Sequence, residues 1–582
     1  MSDHTTSILI LDIGTSITTA ILLQHFEDLY RLVGVGTSTS TMNAPAYDVW
    51  LGCVAAIQEI EAQTERVLLT GDEQIIKPLN TRGEGVDYVV MTTSAGPELK
   101  IVAAGLLEDV SVQSCRRLAG SVGGRLVDEI TLAKGSAVDV HLDRALQHRP
   151  EIVVMAGGTE GGASRAVMRT AELIRSVCQL LPDEKRPAVL FAGNQGIKSQ
   201  VEEMLNPFTQ VISVSNIRPT MEKEDLSAAQ YSLAEILGYI RTKQVGGLEA
   251  AAQNSVVPLL PTGFTFGRAL RYISTTTVKE RNPVLGISMD TDQTVFADAL
   301  RGNVRLNVMP FGIGQGIERL MYHVTVNDII RWVPADIPFV MVRDYLEQKK
   351  IYPNTIPMDE ESLLIEQALT RIILQLSLSR TRQLFDKHNN SFTEIVAAGY
   401  HLTAGPTMMH TLYLLLDGLQ PNGITRVKLD PNQLLSAMGA ASAVDSAVPV
   451  HLLASDLFPQ LGTVISPFSD ARFGEAILHA RISFAEGDPL ELEVNKGEIK
   501  VIPLEPGQQA HVVLTGFPHT WITERPPRTR VELDVTGGLC GLVIDGRGRP
   551  IYLPRDNDER IQLLKIWRNQ LGIGNAVSLG VL

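Results

Sequence analysis

Residues 8–23, ILILDIGTSITTAILL, place two apolar runs on either side of the polar turn Asp-Ile-Gly-Thr-Ser. Ile8 to Leu11 form a fully apolar run of strand length, and a second run follows the turn, so the segment is read as two strands of one hairpin. Gly14 permits a sharp backbone reversal. Thr15, Ser16 and Thr18 offer hydroxyls beside consecutive backbone N–H groups, a combination that cradles an anion such as a phosphate. Asp12, at the end of the strand, is of the type that holds a hydrated Mg²⁺, which takes one or two carboxylates plus waters and phosphate oxygens. An ordinary hairpin with a polar turn accounts for the same residues, and both readings stand at this point.

With 582 residues the chain has room for several domains and a large core, and its 44% hydrophobic and 20% charged residues are a globular balance. The formal net charge of −14 argues against nonspecific binding to nucleic acid or to an anionic membrane, because either needs a basic footprint. Cys53, Cys115, Cys178 and Cys540 lie far apart with no C-x-x-C pair, which suggests neither a zinc site nor a disulfide framework and fits a reducing cytoplasm. The opening MSDHTTS has no basic n-region, and Asp12 interrupts the first hydrophobic stretch. A signal peptide and a membrane span are therefore not expected, and the chain is read as soluble and cytoplasmic.

From Pro150 to Asn216 the sequence alternates apolar strands with helical segments: EIVVMAGGTEGGASRAVMRTAELIRSV reads as strand, glycine-rich turn and amphipathic helix, and PAVLFAGNQ and QVISVSN supply two more strands. Such alternation predicts a parallel sheet covered by helices. Gly157, Gly158, Gly161 and Gly162 fall at the carboxyl end of a strand and before a helix, where backbone amides favour an anion; a tight packing turn is the alternative. The spacing is not a dinucleotide fingerprint, and Glu160 inside the loop would repel a pyrophosphate.

LDIGTSITTA, MTTSAGPELKIVAAGLLEDVSVQSCRRLAGSVGGRLV from Met91, VVMAGGTEGG, FAGNQ and LDPNQLLSAMGA from Leu429, taken in order, resemble the glutamate mutase accessory protein family called MutL, unrelated to the mismatch-repair protein of that name. The resemblance covers roughly residues 7–450. It implies an α/β, actin-like ATPase fold, related to sugar kinases and chaperones, in which two ribonuclease H-like halves close on a nucleotide. The first half is expected over 1–265, with an inserted Rossmann-like α/β segment near 150–216, and the second over 266–450.

The resemblance also implies a site. Asp12, Gly14, Thr15, Ser16 and Thr18 fall on the first phosphate loop, with ATP and a Mg²⁺ held by Asp12 through water as the cofactors. The second phosphate loop falls in PVLGISMDTDQTVFADA, where family members resemble one another in an Asp, a glycine pair and threonines. In one register Gly286 takes the place of the Asp. In another Asp290 restores it, and Asp292 and Gln293 stand where the glycines belong. Asp290, Thr291 and Thr294 are the candidates there. The adenosine glycine pair falls in VAAGYHLT, where Gly399 is followed by Tyr400, a side chain able to stack on a base or to plug its pocket. In NVMPFGIGQGIERL the acidic residues expected before the glycines are missing, leaving Gly312, Gly314 and Gly316 as a flexible loop into a helix.

Three functions follow. The first is an ATP-binding accessory protein, reactivase or chaperone, serving an adenosylcobalamin-dependent mutase. The second is a scaffold of the same fold that binds nucleotide weakly or not at all, or does not hydrolyse it, since phosphoryl transfer rests on positioning around the γ-phosphate and those motifs are altered. The third is a small-molecule kinase, for which no general base is identifiable.

Residues 451–582 read as a β-rich domain, because EAILHARISFA, PLELEVNKGEIKVIPL, AHVVLTG and RTRVELDV alternate apolar and polar residues between Gly and Pro turns. DGRGRP, from Asp545, is read as a solvated hairpin tip carrying Arg547 and Arg549, and the last helix is read as docking Ile561, Leu564 and Trp567 on a core. In the long helix of residues 359–386, Arg371, Arg380 and Arg382 are read as a solvated face. His401 and His410 are read as surface or core histidines rather than metal ligands.

Overall fold

A computed structural model of the chain describes residues 6–131, 138–276, 282–385, 390–524 and 527–573. It divides into two compact units, one made of Met1–Phe26, Leu32–Thr265 and Leu306–Val308, the other of Glu27–Arg31, Phe266–Arg305 and Met309–Leu582.

The first unit begins with the hairpin. β1 (Ser7–Ile13) and β2 (Ile17–Phe26) pair antiparallel, with Leu11 opposite Ala20, and β3 (Leu29–Thr39) continues the meander. β4 (Tyr88–Thr93) then lies parallel to β1 on its other side. Both faces of β1 and β2 are buried, which is why their sequences are continuous apolar runs rather than alternating ones. Leu9, Leu11, Ile13, Ala20 and Leu22 pack on one face against Val49, Cys53, Ile57 and Ile60 of the helix Val49–Thr64. Strand alternation turns Ile8, Ile10, Ile21 and Leu23 to the opposite face.

A second sheet follows, all parallel, formed by β5 (Lys100–Gly105), β6 (Arg125–Thr131), β7 (Ile152–Met155), β8 (Ala188–Phe191) and β9 (Val211–Ser213) in the order β6-β5-β7-β8-β9. This doubly wound sheet includes two strands upstream of the 150–216 segment that the sequence pattern marks out. The short β10 (Leu260–Pro261) returns to the first sheet beside β4 and completes the order β10-β4-β1-β2-β3.

The second unit repeats that plan. β11 (Val284–Met289) and β12 (Thr294–Leu300) form an antiparallel hairpin, β13 (Asn303–Met309) follows, and β14 (Glu394–Ala398) and β15 (Gly423–Asp430) are added parallel on the other side of β11. In both units the third, second, first, fourth and fifth strands of the motif stand side by side, the ribonuclease H-like arrangement. The chain therefore has the actin-like ATPase fold. Its sheet does not stop at β15: Gln460–Ser466, Leu542–Asp545 and Ile499–Ile502 extend it, while Leu490–Asn495, Ala476–Phe484, Gln509–Gly516 and Arg530–Thr536 make a separate antiparallel sheet over a core containing Leu478, Ile482, Val512 and Leu514. Among the described residues no helix is long and apolar enough to cross a membrane, and all four cysteines are buried and unpaired.

Two surface readings are overturned. Arg371, on the helix Glu360–Leu384, is 4% exposed, and the DGRGRP turn is interior, with Asp545 and Arg547 at 1% and 5%. The reason is distant charge. Arg371 Nε donates to Asp417 Oδ2 at 2.7 Å, Arg547 donates to Asp417 Oδ1 at 2.6 Å and to both oxygens of Asp545 at 2.9 Å, and Arg549 donates to Asp545 Oδ2 at 2.7 Å. The Arg547 guanidinium also lies 5.0 Å from the Trp567 ring and 5.3 Å from that of Tyr413. Planar, delocalised guanidinium is suited to such a place, since it forks onto carboxylates and stacks on rings. Arg547→Ala leaves two buried carboxylates short of a partner and is expected to cost about 3–5 kcal/mol in denaturant unfolding of the whole chain, with little recovered by Arg547→Lys.

Candidate functional site

In the first unit, Asp12 stands at the carboxyl end of β1, beside Thr92 on β4. Its carboxylate is 5% exposed, and Oδ1 accepts from two hydroxyls, Thr92 Oγ1 at 2.9 Å and Thr262 Oγ1 at 2.5 Å. Thr262 opens the helix Thr262–Thr276 directly after β10, so the strand order itself delivers both hydroxyls to the carboxylate. Gly14 N closes the turn on Ile17 O at 2.9 Å, and Ser40 N donates to Ser16 O at 2.9 Å. Thr15 and Ser16 are each 6% exposed. The structure thus groups Asp12, Gly14, Thr15 and Ser16 at one turn. Thr18 is placed differently: its side chain faces the helix Val49–Thr64, where a Cβ added to Gly52 would stand 3.4 Å from Thr18 Oγ1. That hydroxyl is buried and has no hydrogen-bond partner among the described residues.

Thr92 and Thr262 were missed by sequence reasoning. Thr92 carries a signal, a threonine pair ending the apolar run YVVMTT, whereas Thr262 is 250 residues from Asp12 and is found only through the sheet order.

The second unit has its own hairpin turn. Asp290 N donates to Gln293 O at 2.9 Å, Thr291 N to Asp290 Oδ1 at 2.8 Å, and Thr294 Oγ1 to Phe311 O at 2.7 Å. The glycine-rich loop is not loose here. Ile313 N donates to Asp290 O and Gly316 N to Thr291 O, both at 3.1 Å, and a Cβ on Gly312 would lie 2.4 Å from Asp290 O. Gly312, Gly314 and Gly316 are therefore the residues that let this loop lie on the turn, which corrects their reading as a flexible loop. Gly399 follows β14 with φ +90°, and a Cβ there would fall 2.2 Å from Met289 O, so the backbone beside the turn also depends on glycine. Tyr400 is 44% exposed and meets His401 edge-on.

Behind Tyr400 lies a buried charged cluster. Glu366 receives Lys349 Nζ and the Tyr345 hydroxyl, each at 2.7 Å on Oε2, and His401 Nδ1 at 3.3 Å on Oε1. Burial alone would raise the Glu366 carboxyl, but His401 and Lys349 outweigh it and hold it at about 2.

The Gly157–Gly162 loop lies on a different sheet from the Asp12 turn, after β7 and before the helix Ser164–Leu180. Its bonds are internal to its surroundings: Asn194 Nδ2 donates to Gly162 O at 2.7 Å, Gly161 N to Asn194 Oδ1 at 3.3 Å, Asn216 Nδ2 to Gly158 O at 2.9 Å and Glu160 N to Pro219 O at 3.1 Å. A Cβ on Gly157 would lie 2.8 Å from Leu106 Cγ, so that glycine serves close packing. Among the described residues no group of three or more His, Cys, Asp or Glu is arranged to hold a metal.

Residues 8–457 match the family model described as MutL protein. Over 258 residues the chain is 22% identical to Protein MutL of Clostridium tetanomorphum, a match covering 44% of this chain and 53% of that protein, so the chain spans about half of the relative's length. Similar solved structures include nucleotide-free acetone carboxylase (12% identical, covering 84% of this chain and 81% of that one, TM-score 0.35) and xylulose kinase from Bifidobacterium adolescentis (12%, 76% and 93%, TM-score 0.28). The strand order repeated in the two units, not these likenesses, identifies the fold.

Two outcomes are expected from this geometry. Because the folded-state pKa of Glu366 lies below its ordinary value of 4.5, its stabilising contribution is present above about pH 4.5 and is lost as pH falls toward about 2. Denaturant unfolding at a series of pH values should show a shallower acid loss in Glu366→Gln than in the wild type. Gly399→Ala forces a Cβ against Met289 O at an unfavourable φ and should lower stability by about 2 kcal/mol or more, read in the same unfolding assay.

Proposed function

This chain belongs to the MutL protein family, and on that premise we propose that it is an ATP-binding accessory protein that serves an adenosylcobalamin-dependent mutase as reactivase or chaperone. The observation that carries the nucleotide part is the Asp12 carboxylate, buried at the carboxyl end of β1 between the hydroxyls of Thr92 and Thr262 and next to the Gly14–Ser16 turn. The donor set suits a magnesium nucleotide. A carboxylate oriented by two hydroxyls would hold a hydrated Mg²⁺, and the turn's N–H groups with Thr15 and Ser16 would receive phosphate oxygens. When bound, the ion would neutralise phosphate charge; the chain's own part is to orient the carboxylate and present the turn. On this reading nucleotide binding changes the protein's affinity for mutase subunits, as a ligand does when it favours one conformation over another.

A second reading, a scaffold that does not turn nucleotide over, is favoured by one feature. In the second unit's turn the N–H groups of Asp290 and Thr291, the donors a phosphate would need, are taken by Gln293 O at 2.9 Å and by Asp290 Oδ1 at 2.8 Å, so these donors already have partners within the protein.

Calorimetric titration with ATP and Mg²⁺, followed by phosphate release on the same sample, separates the two readings. The accessory ATPase reading expects saturable binding with phosphate release, and Asp12→Asn should weaken binding at least about tenfold, roughly 1.4 kcal/mol. Binding without phosphate release favours the scaffold. Unchanged ATP binding in Asp12→Asn would remove Asp12 from the site.

A further inference from the structure

The separate antiparallel sheet of the C-terminal region ends on the strand Arg530–Thr536, which pairs with Gln509–Gly516 on one side only. Gly516 N donates to Thr529 O at 2.6 Å and Gly537 N to Gln508 O at 2.7 Å, and the ladder keeps one register between these two bonds. Alternate residues of an antiparallel strand turn their main-chain groups to the partner. Val531, Leu533 and Val535 therefore face the neighbouring strand, and Arg530, Glu532 and Asp534 turn N–H and C=O outward. Among the described residues those outward groups have no partner, and the open stretch closes at Thr536, whose O accepts from Gln460 Nε2 at 3.0 Å. Side chains alternate too. Val531 and Leu533 are half-buried at the margin of the sheet's core, while Arg530, Glu532 and Asp534 are exposed, as is Arg528 just before them.

An open strand edge is a template for another strand, and charges along it restrict which strand is accepted. Here the charges run in a self-complementary order about Val531: Arg528 and Arg530 precede it, Glu532 and Asp534 follow it. We propose that this edge pairs antiparallel with the same edge of a second copy of the chain, across a two-fold axis at Val531, giving one continuous sheet. In that register Arg530 lies opposite Glu532 of the second copy and exchanges both main-chain hydrogen bonds with it. Asp534 comes toward Arg528 of the second copy, and the two Val531 side chains meet on the axis. Each contact occurs twice, as a closed two-fold interface requires. The neighbouring registers that bring outward groups face to face set like charges opposite one another, which is destabilising. A centre at Arg530 opposes it to itself, a centre at Glu532 does the same, and a centre at Leu533 opposes Glu532 to Asp534. Within one chain Arg530 Nη2 donates to Glu532 Oε1 at 2.8 Å, and His511 Nδ1 contacts Asp534 Oδ1 at 2.8 Å. Both pairs are solvent-exposed, so exchanging them across the axis costs little.

The test is sedimentation equilibrium of the whole chain from about 1 µM to about 200 µM, a span suited to one added strand pair, which lies at the small end of specific interfaces. The wild-type mass should rise with concentration toward twice that of the monomer. Arg530→Glu opposes acid to acid and Glu532→Arg opposes base to base, so each variant alone should stay monomeric. Mixed in equal amounts the two should form a mixed dimer, because each supplies the charge the other lacks. Glu532→Pro removes an outward N–H that the monomer does not use, and should weaken association at least about tenfold. A wild type that stays monomeric throughout the range overturns the proposal. So does wild-type dimerisation by any of the three variants alone, or a mixture that fails to associate although both of its members unfold like the wild type.

Discussion

A carboxylate removed from water must be given donors, and in the first unit that requirement organises the chain. Asp12 lies at the end of a strand that is buried on both faces, so its partners have to come from neighbours in the sheet rather than from solvent. Thr92 arrives on the parallel strand β4, and Thr262 arrives at the start of the helix that follows β10. Three segments, the farthest 250 residues from the first, meet on one oxygen. The turn that follows inherits its position from this contact, because Ile13 O is also held there, by Thr93 Oγ1 at 2.9 Å and Ser94 N at 3.0 Å.

The second unit solves the corresponding position in another way. Its hairpin turn has Asp290 one residue beyond the strand, where the carboxylate accepts from Thr291 N. The turn is then held from outside by the loop of residues 310–316, whose three glycines permit a backbone approach that any Cβ would block. The two halves share a strand order and differ in what secures the turn. Their sequences differ accordingly: Gly-Thr-Ser follows the first strand, and Asp-Thr-Asp-Gln the second.

How much of this was legible in the sequence depends on the distance over which each residue finds its partner. The first hairpin was legible because its signal is local, two apolar runs and a polar turn, and so was the strand, glycine turn and helix around Gly157. The long-range contacts were not. Arg371 and Arg547 look like solvated arginines at the level of pattern, since a helix face and a Gly-Pro turn are where solvated charges belong. Their burial is decided by Asp417, which is 46 residues from one and 130 from the other. Thr18 shows the opposite failure: it sits in the motif, but strand alternation turns it toward the helix Val49–Thr64 and away from the turn it was grouped with.

The same charges determine what the C-terminal residues are to the rest of the second unit. Gln460–Ser466 pairs with β15 and Leu542–Asp545 pairs with Gln460–Ser466, so the sheet that contains β11 and β14 runs on without a break into this region. Arg547, at the end of that added strand, supplies half of the counter-charge for Asp417, and the Trp567 indole N–H bonds Gly497 O at 2.8 Å. A cut near residue 450 would therefore uncover the β15 edge and leave Asp417 with Arg371 alone. The region behaves as part of the second half's core, and its role is to be probed by single substitutions on its exposed sheet rather than by removing it.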